Sequence, residues 1–314
     1  MNRVLIAVVV IAVLAASGLY LFNRRSLLAG NTNATNQSSL ARYCSSDGEL
    51  VNVMPIQSHR SYCVRTMTAP VVPNQAGDLS FQIVDDRGTT LKDFDTVHEK
   101  IMHVILARKD LTNFQHLHPD FDAATGTFTL REVAFATDGP YRMYADFTPS
   151  TSQLGPDGAR LPVVDHDDLE VGSVQGYTPT PLGSPNAIDT SGAYQVSMTT
   201  SPSAPQTNQT TRLTFTITES DGEVTDLEKY LGELGHAVVL KDGDLSFLHT
   251  HPMDQDVDKQ TGSIAFELAF PETGTYKTFM QFQHRGQVQT VEFILPEVVG
   301  TADDSESSDS IFHM

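Results

Sequence analysis

Two short stretches of this sequence occur twice, and they decide the fold. HVIL at residues 103–106 and FQHLHP at 114–119 return as HAVV at 236–239 and FLHTHP at 247–252. In both copies 13 residues separate the first histidine from the second. The sequence around them repeats at an offset of 132 to 136 residues, which indicates that one module has been duplicated.

Each copy is predicted to be a β-sandwich. LSFQIV at residues 79–84 and LTFTIT at 213–218 alternate apolar with polar side chains, as half-buried strands do. Turn signals such as Asp221-Gly222 interrupt these runs. Seven or so short strands in roughly 110 residues are typical of an immunoglobulin-like Greek key. We therefore expect an all-β protein with two tandem immunoglobulin-like β-sandwich modules behind an N-terminal transmembrane helix.

Composition sets the predicted boundaries between these modules. The segment that joins the two copies is rich in Pro, Gly, Ser and Thr, and the final residues are acidic. The predicted segments are 1–25 as a transmembrane anchor or signal segment, 26–61 as a stalk and disulfide segment, 62–171 as the first β-sandwich repeat, 172–193 as a linker, 194–298 as the second β-sandwich repeat and 299–314 as an acidic disordered tail.

The N-terminal segment predicts the compartment. Residues 4–22 carry no charge and, as a helix, would span about 28 Å, close to the hydrocarbon thickness of a bilayer. An uncleaved anchor is favoured over a cleaved signal because the apolar run continues past its small residues. Cys44 and Cys63 follow and are predicted to form a disulfide, the alternative being two free cytosolic thiols. We expect a single-pass cell-membrane protein whose bulk is extracytoplasmic.

The histidines are predicted to converge on one face of a hairpin in each copy. A two-residue turn at Asp242-Gly243 would place His236 opposite His249 on the neighbouring strand. His251 lies two residues further along, so its side chain points to the same face as that of His249. Opposed Cβ atoms are about 4.5–5.5 Å apart, so the three imidazoles meet. The first copy repeats the arrangement with His103, His116 and His118.

Three converging neutral imidazoles suit a transition metal. Zn²⁺ takes histidine nitrogens at about 2.0–2.1 Å, and Cu²⁺ binds nitrogen sites more tightly than its neighbours in the series do. Candidate extra ligands are His98, Glu99 and Met102 in the first copy and Met253, Asp254 and His284 in the second. We expect a copper or zinc ion in each repeat. The competing interpretation is a structural cluster in which the imidazoles bond backbone groups at a sandwich rim.

The motifs also carry a family resemblance. HEKIMH at 98–103, FQHLHP at 114–119 and GPYR at 139–142 resemble those of largely uncharacterised bacterial exported proteins with a YtkA-like or immunoglobulin-like sandwich. The resemblance covers residues 62–165 well and 194–296 more loosely. It implies an extracytoplasmic module, and because some of those proteins are found beside copper-handling systems, it favours metal handling.

Composition and motifs exclude several functional classes. The chain has 20 Lys and Arg against 39 Asp and Glu, a net charge of −19, so we expect no nucleic-acid partner. A blue-copper electron carrier would need a cysteine among the histidines, and none lies near them. We do not expect an enzyme. A zinc-dependent hydrolase is the alternative, and it would need a general base such as Glu99 or Glu233.

Together these features predict a membrane-anchored extracytoplasmic protein that binds a transition metal for trafficking or tolerance, with copper favoured. Its expected partners are the membrane, through the N-terminal helix, and other envelope metal-handling proteins. The alternative function is a metal-free envelope or surface interaction protein. In that case the repeats act as spacers and the histidines are structural.

Overall fold

The computed structural model describes residues 62–155, 158–220, 222–250, 252–258 and 262–301. Regular secondary structure in these ranges is β-strand, and no helix in them is long and apolar enough to cross a membrane. The predicted span at 4–22 and Cys44 lie outside the described residues, so the anchor and the disulfide with Cys63 stay predictions.

The first repeat consists of two sheets that face each other. One sheet has the strand order β1-β2-β7-β6, and the other has the order β5-β4-β8, with β9 and β3 both beside β8. The strands are β1 (Tyr62–Thr68), β2 (Gly77–Asp85), β3 (Phe94–Asp95), β4 (His103–Arg108), β5 (Gln115–Leu117), β6 (Asp120–Asp122), β7 (Thr127–Val133), β8 (Gly139–Pro149) and β9 (Val163–Val171).

The second repeat has the same plan. One sheet has the order β10-β11-β12-β17-β16, with β13 beside β12, and the other has the order β15-β14-β18-β19. The strands are β10 (Ile188–Ser191), β11 (Tyr194–Ser201), β12 (Thr210–Glu219), β13 (Gly222–Glu223), β14 (Gly235–Lys241), β15 (Phe247–Thr250), β16 (Pro252–Asp258), β17 (Ser263–Ala269), β18 (Tyr276–His284) and β19 (Gln287–Ile294). The range predicted as a linker, 172–193, therefore includes β10.

Strand order and one tyrosine in each repeat define the immunoglobulin-like topology. The orders β1-β2-β7-β6 and β4-β8-β9 correspond to the ABED and CFG sheets of that fold, as do their counterparts in the second repeat. At the start of β8 the Tyr141 hydroxyl donates to Thr137 O at 2.9 Å, and at the start of β18 the Tyr276 hydroxyl donates to Glu272 O at 2.9 Å. Both are tyrosine corners. The prediction of an all-β, immunoglobulin-like protein is confirmed.

The two repeats pack directly against each other through an apolar cluster that is separate from the core of either sandwich. Phe114 stacks on Phe279 with ring centroids 4.2 Å apart, and the Tyr144 hydroxyl donates to Leu245 O at 2.6 Å. The cluster takes buried side chains from both repeats, which include Ile105, Ala107, Leu111, Tyr144, Val164, Val238, Leu240, Leu245, Phe247 and Phe279. This interface fixes the outer face of β4 and β5 against the outer face of β14 and β18.

The strand pairing corrects the predicted hairpin. Leu240 pairs with Phe247, and Val238 pairs with His249. The predicted register placed His236 opposite His249, so the observed pairing is shifted by two residues. The turn is a four-residue loop at 242–245 rather than a two-residue turn, with Leu245 at a φ of 64°. The first repeat shows the same shift, since Ile105 pairs with His116. A shift of two residues leaves every side chain on its original face, so the histidines still converge.

Candidate metal centre

Three histidines of the first repeat meet at the edge of β4 and β5. His103 begins β4, His116 lies in β5 and His118 follows β5 directly. His103 Nδ1 lies 3.2 Å from His116 Nε2 and 3.1 Å from His118 Nε2. One nitrogen of each ring lies within 4.8 Å of the other two. The three residues that the repeat pattern selected in this copy therefore form one cluster.

Hydrogen bonds on the far side of two rings fix which nitrogens carry protons. His103 Nε2 donates to Val97 O at 3.1 Å, because a carbonyl oxygen can only accept. His116 Nδ1 donates to Gln281 Oε1 at 2.8 Å, and Gln281 Nε2 donates to Thr290 Oγ1. A neutral imidazole carries one proton, so His103 Nδ1 and His116 Nε2 are unprotonated. Their lone pairs point toward each other and toward the centre of the cluster. Outer hydrogen bonds of this kind orient the histidine ligands of metal sites.

The nitrogen spacing matches that of ligands around a single ion. Two nitrogens each about 2.05 Å from a tetrahedral Zn²⁺ are about 3.3 Å apart, close to the 3.1 and 3.2 Å observed. The three-histidine cluster could therefore hold one metal ion.

The electrostatics hold the rings in the form that binds metal. Burial lowers the pKa of His116 to about 3, with a further contribution from the neighbouring His103. Burial, with the nearby His116 and His103, lowers the pKa of His118 to about 2. Both rings are therefore neutral at pH 7, and neutral imidazole is the form that ligates metals.

Two more histidines border this cluster, and one comes from the second repeat. The His236 ring lies 6.0 Å from that of His116, and the His98 ring lies 5.7 Å from that of His236. His236 Nε2 donates to Tyr230 O at 2.8 Å, the same six-residue backbone contact that His103 makes to Val97 O. The cluster thus sits at the junction of the repeats.

A cavity of about 300 Å³ opens beside the histidines, with walls from both repeats. His103, His116, His98 and His236 lie on its wall, together with Asp146. Asp146 is 6% exposed and sits on β8 directly opposite His103. The site therefore combines imidazoles, one buried carboxylate and an adjoining space.

Two predicted ligands are placed elsewhere. Met102 is buried in the core of the first sandwich, because adjacent residues of an extended chain point to opposite faces and His103 faces outward. His284 accepts from the Tyr194 hydroxyl at 2.8 Å and donates to Asp226 Oδ1 at 2.9 Å, so both of its nitrogens are engaged. Neither residue is a ligand in this arrangement.

The second-copy site lies mostly outside the described residues. In β15 the backbone of His249 pairs with Val238 of β14. The described residues do not include His251, nor the side chains of His249, Met253 and Asp254. A second site in that repeat stays a prediction.

Sequence reasoning missed Gln281 and Asp146. Each lies directly opposite the first histidine of its repeat, Gln281 facing His236 and Asp146 facing His103. The two positions correspond in the duplication, next to the aligned Phe147 and Phe282. A search for polar residues at the strand position opposite the histidines would have found both.

The fold and the cluster define a tandem β-sandwich protein with a histidine centre between its modules. A family model described as a domain of unknown function, DUF8832, matches residues 57–154 and 188–299, which together are more than half of the chain. The chain belongs to this family, whose two matched segments correspond to the two repeats. The more specific YtkA-like resemblance stays a prediction.

Solved structures give only distant likenesses. The Escherichia coli adhesin FdeC is 13% identical with a TM-score of 0.25, over 76% of this chain and 64% of that one. Escherichia coli α2-macroglobulin is 13% identical with a TM-score of 0.24, over 78% and 24%. Bovine butyrophilin is 12% identical with a TM-score of 0.19, over 75% and 99%. The chain thus spans less than two thirds of the first two, and no curated protein matches it. At these scores the matches carry no argument about what the chain binds.

Proposed function

We propose that this protein binds one transition-metal ion through His103 Nδ1, His116 Nε2 and His118 Nε2. The convergence of lone pairs on His103 and His116, whose outer nitrogens donate to Val97 O and Gln281, carries this proposal. These two nitrogens and His118 Nε2 all lie within 4.8 Å of one another, close enough for one ion to contact all three.

The donor set favours a divalent ion of intermediate softness. Imidazole nitrogens suit Zn²⁺ and Cu²⁺, whereas thioether sulfur is what selects Cu⁺. Met102 points into the sandwich core and does not supply that sulfur. We therefore propose that the bound ion is Zn²⁺ or Cu²⁺, the divalent forms of the two metals expected from the sequence, and that its protein ligands are nitrogen atoms.

We place this centre in a membrane-anchored protein that handles metal outside the cytoplasm. The uncharged run at residues 4–22 supports this placement. The biological role that follows is metal trafficking or metal tolerance in the envelope, with other metal-handling proteins as partners.

Calorimetric titration of Zn²⁺ and Cu²⁺ into the full-length chain tests the proposal. The comparison is a variant with His103, His116 and His118 all changed to Ala, and the control is His284→Ala, which alters a histidine with both nitrogens engaged. We expect the triple variant to lose one tightly bound ion per chain that the control keeps. Equal binding by all three proteins would overturn the proposal and favour the metal-free interaction protein.

A further inference from the structure

The cavity beside the histidines has the features of a preformed small-molecule site. Its volume of about 300 Å³ lies at the lower end of the range for such sites, about 300–1,000 Å³. It lies between two modules, where ligand sites are often found. The apolar cluster that joins the repeats shares Ile105, Val238 and Phe247 with its wall, so the shape of the cavity is fixed by packing.

The wall divides into an apolar part and a polar end. Apolar side chains form much of it and come from both repeats. They include Ile101, Ile105, Phe147, Leu161, Val238 and Phe247. The polar end carries His103 and His116, so an ion held by the cluster would sit on the wall itself. Three protein ligands leave at least one coordination position of a tetrahedral ion unfilled, and that position is available to a molecule in the cavity.

The charges of the wall favour an anion. Three neutral imidazoles carry no charge, so these ligands do not neutralise the two positive charges of a divalent ion. Asp146 supplies one negative charge beside His103, and Lys100 adds a positive charge. Arg160 and Asp95 lie 3.4 Å apart and cancel each other. The metal-loaded cavity therefore carries a net positive charge.

We infer that the metal-loaded cavity binds a small organic anion, with an oxygen donor such as a carboxylate on the metal and an apolar body against Phe147, Val238 and Phe247. This inference rests on the proposed metal centre. The metal supplies the charge and one donor position, and the two repeats supply the apolar enclosure. Such an arrangement would let the protein accept metal as a complex with an organic acid, or release it to one.

The test uses the full-length chain loaded with Co²⁺, whose visible absorption reports its coordination. Benzoate and benzamide are the probes, because they have nearly the same shape and differ in charge. We expect benzoate to change the Co²⁺ absorption in a saturable way and benzamide not to change it. An equal response to both probes would overturn the assignment of an anion.

Variants that fill the cavity distinguish benzoate binding in the cavity from benzoate binding elsewhere on the protein. Leu161 lies on the cavity wall, whereas Leu154 is 62% exposed and is not part of the wall. We expect Leu161→Trp to retain the Co²⁺ spectrum but to weaken benzoate binding about tenfold or more, and Leu154→Trp to change neither. Val238→Phe fills the cavity from the second repeat and replaces Leu161→Trp if that variant does not fold.

The outcomes distinguish the two proposals. Co²⁺ binding without a benzoate response, or with a response that both cavity-filling variants retain in full, overturns the cavity inference and leaves the metal centre standing. Failure of the chain to bind Co²⁺, Zn²⁺ or Cu²⁺ overturns the metal centre, and the inference with it.

Discussion

The cluster around His103 and the single residue His284 show two different uses of histidine in one protein. His284 is 2% exposed, and its nitrogens are matched by a donor, the Tyr194 hydroxyl, and an acceptor, the Asp226 carboxylate. His103 and His116 also bond acceptors with their outer nitrogens. Their inner nitrogens, however, point at each other across 3.2 Å.

This difference teaches how to distinguish a structural histidine from a ligand. A structural histidine has complementary partners on both sides, so its removal leaves unsatisfied groups behind. A ligand has one partner that fixes its tautomer and one lone pair aimed at shared space. Burial alone does not separate the two patterns, because the three histidines of the cluster are half-buried as well.

The largest effect expected from this comparison is the loss of Zn²⁺ affinity when a histidine of the cluster is removed. We expect His116→Ala to weaken Zn²⁺ binding more than about 100-fold, because changes to outer partners alone cost about 10–100-fold. His284→Ala, measured in the same calorimetric titration, should leave the affinity unchanged. A His116→Ala variant that binds Zn²⁺ as the wild type does would remove His116 from the ligand set.

The second effect concerns the contact between the repeats. Gln281 accepts from His116 Nδ1 across the interface, so Gln281→Leu should weaken Zn²⁺ binding by about 10–100-fold. Gln281→Glu keeps an acceptor at that position and should restore much of the affinity. If Leu and Glu at this position gave the same dissociation constant, the second repeat would have no role in orienting the ligand.

The third effect belongs to His284. Its replacement by Leu removes the acceptor of the buried Tyr194 hydroxyl, whereas the exposed Asp226 carboxylate becomes hydrated, so the free energy of unfolding should fall by about 1–3 kcal/mol. Urea unfolding followed by tyrosine fluorescence measures this, since the chain has no tryptophan. His118→Leu is the matched change in the cluster and should cost less in the metal-free protein. The reverse order of stabilities would contradict the assignment of roles.

The smallest effect is a pH dependence of the metal-free protein. An unfolded histidine has a pKa near 6.5, whereas burial lowers the folded values to about 3 for His116 and about 2 for His118. As pH falls below about 6.5 the unfolded chain takes up protons that the folded chain does not, so the free energy of unfolding falls. Burial raises the pKa of Asp165 to about 6, which opposes the trend between about pH 6 and pH 4.

His116, His118 and Asp165 together contribute a loss of roughly 1 kcal/mol per pH unit between pH 6 and pH 4, because Asp165 offsets the contribution of one of the two histidines. Urea unfolding of the metal-free chain at several pH values within this range measures the slope. A double variant, His116→Gln with His118→Gln, lacks both titrating rings and should show a shallower slope, because their contribution is removed. An identical slope in the wild type and the double variant would show that these rings do not titrate as their burial requires.

Much of the fold could be predicted from the sequence because duplication makes the pattern visible twice. Alternation in β2 and β12 and the repeated histidines indicate paired strands without any knowledge of tertiary contacts. The hairpin register could not be predicted as closely. Leu245 adopts a φ of 64°, which a bulky apolar residue rarely does, and this lengthens the turn to four residues.

The contact between the repeats was harder to foresee. Its apolar residues, such as Ile105 and Val238, resemble ordinary core residues in the sequence. The one available sign is that Val104–Ala107 and Ala237–Leu240 are apolar without alternation, which indicates strands buried on both faces. That sign identifies a buried face but not the surface that covers it. Gln281 was missed for this reason, since its role depends on the neighbouring module.

X-ray absorption at the zinc edge of the full-length chain carrying one equivalent of Zn²⁺ tests the central claim most directly. The convergence of one ring nitrogen each from His103, His116 and His118 predicts three imidazole nitrogens at about 2.0–2.1 Å from the zinc, one further light-atom ligand and no sulfur. A spectrum with a sulfur neighbour, or with fewer than three imidazoles, would contradict the three-histidine centre.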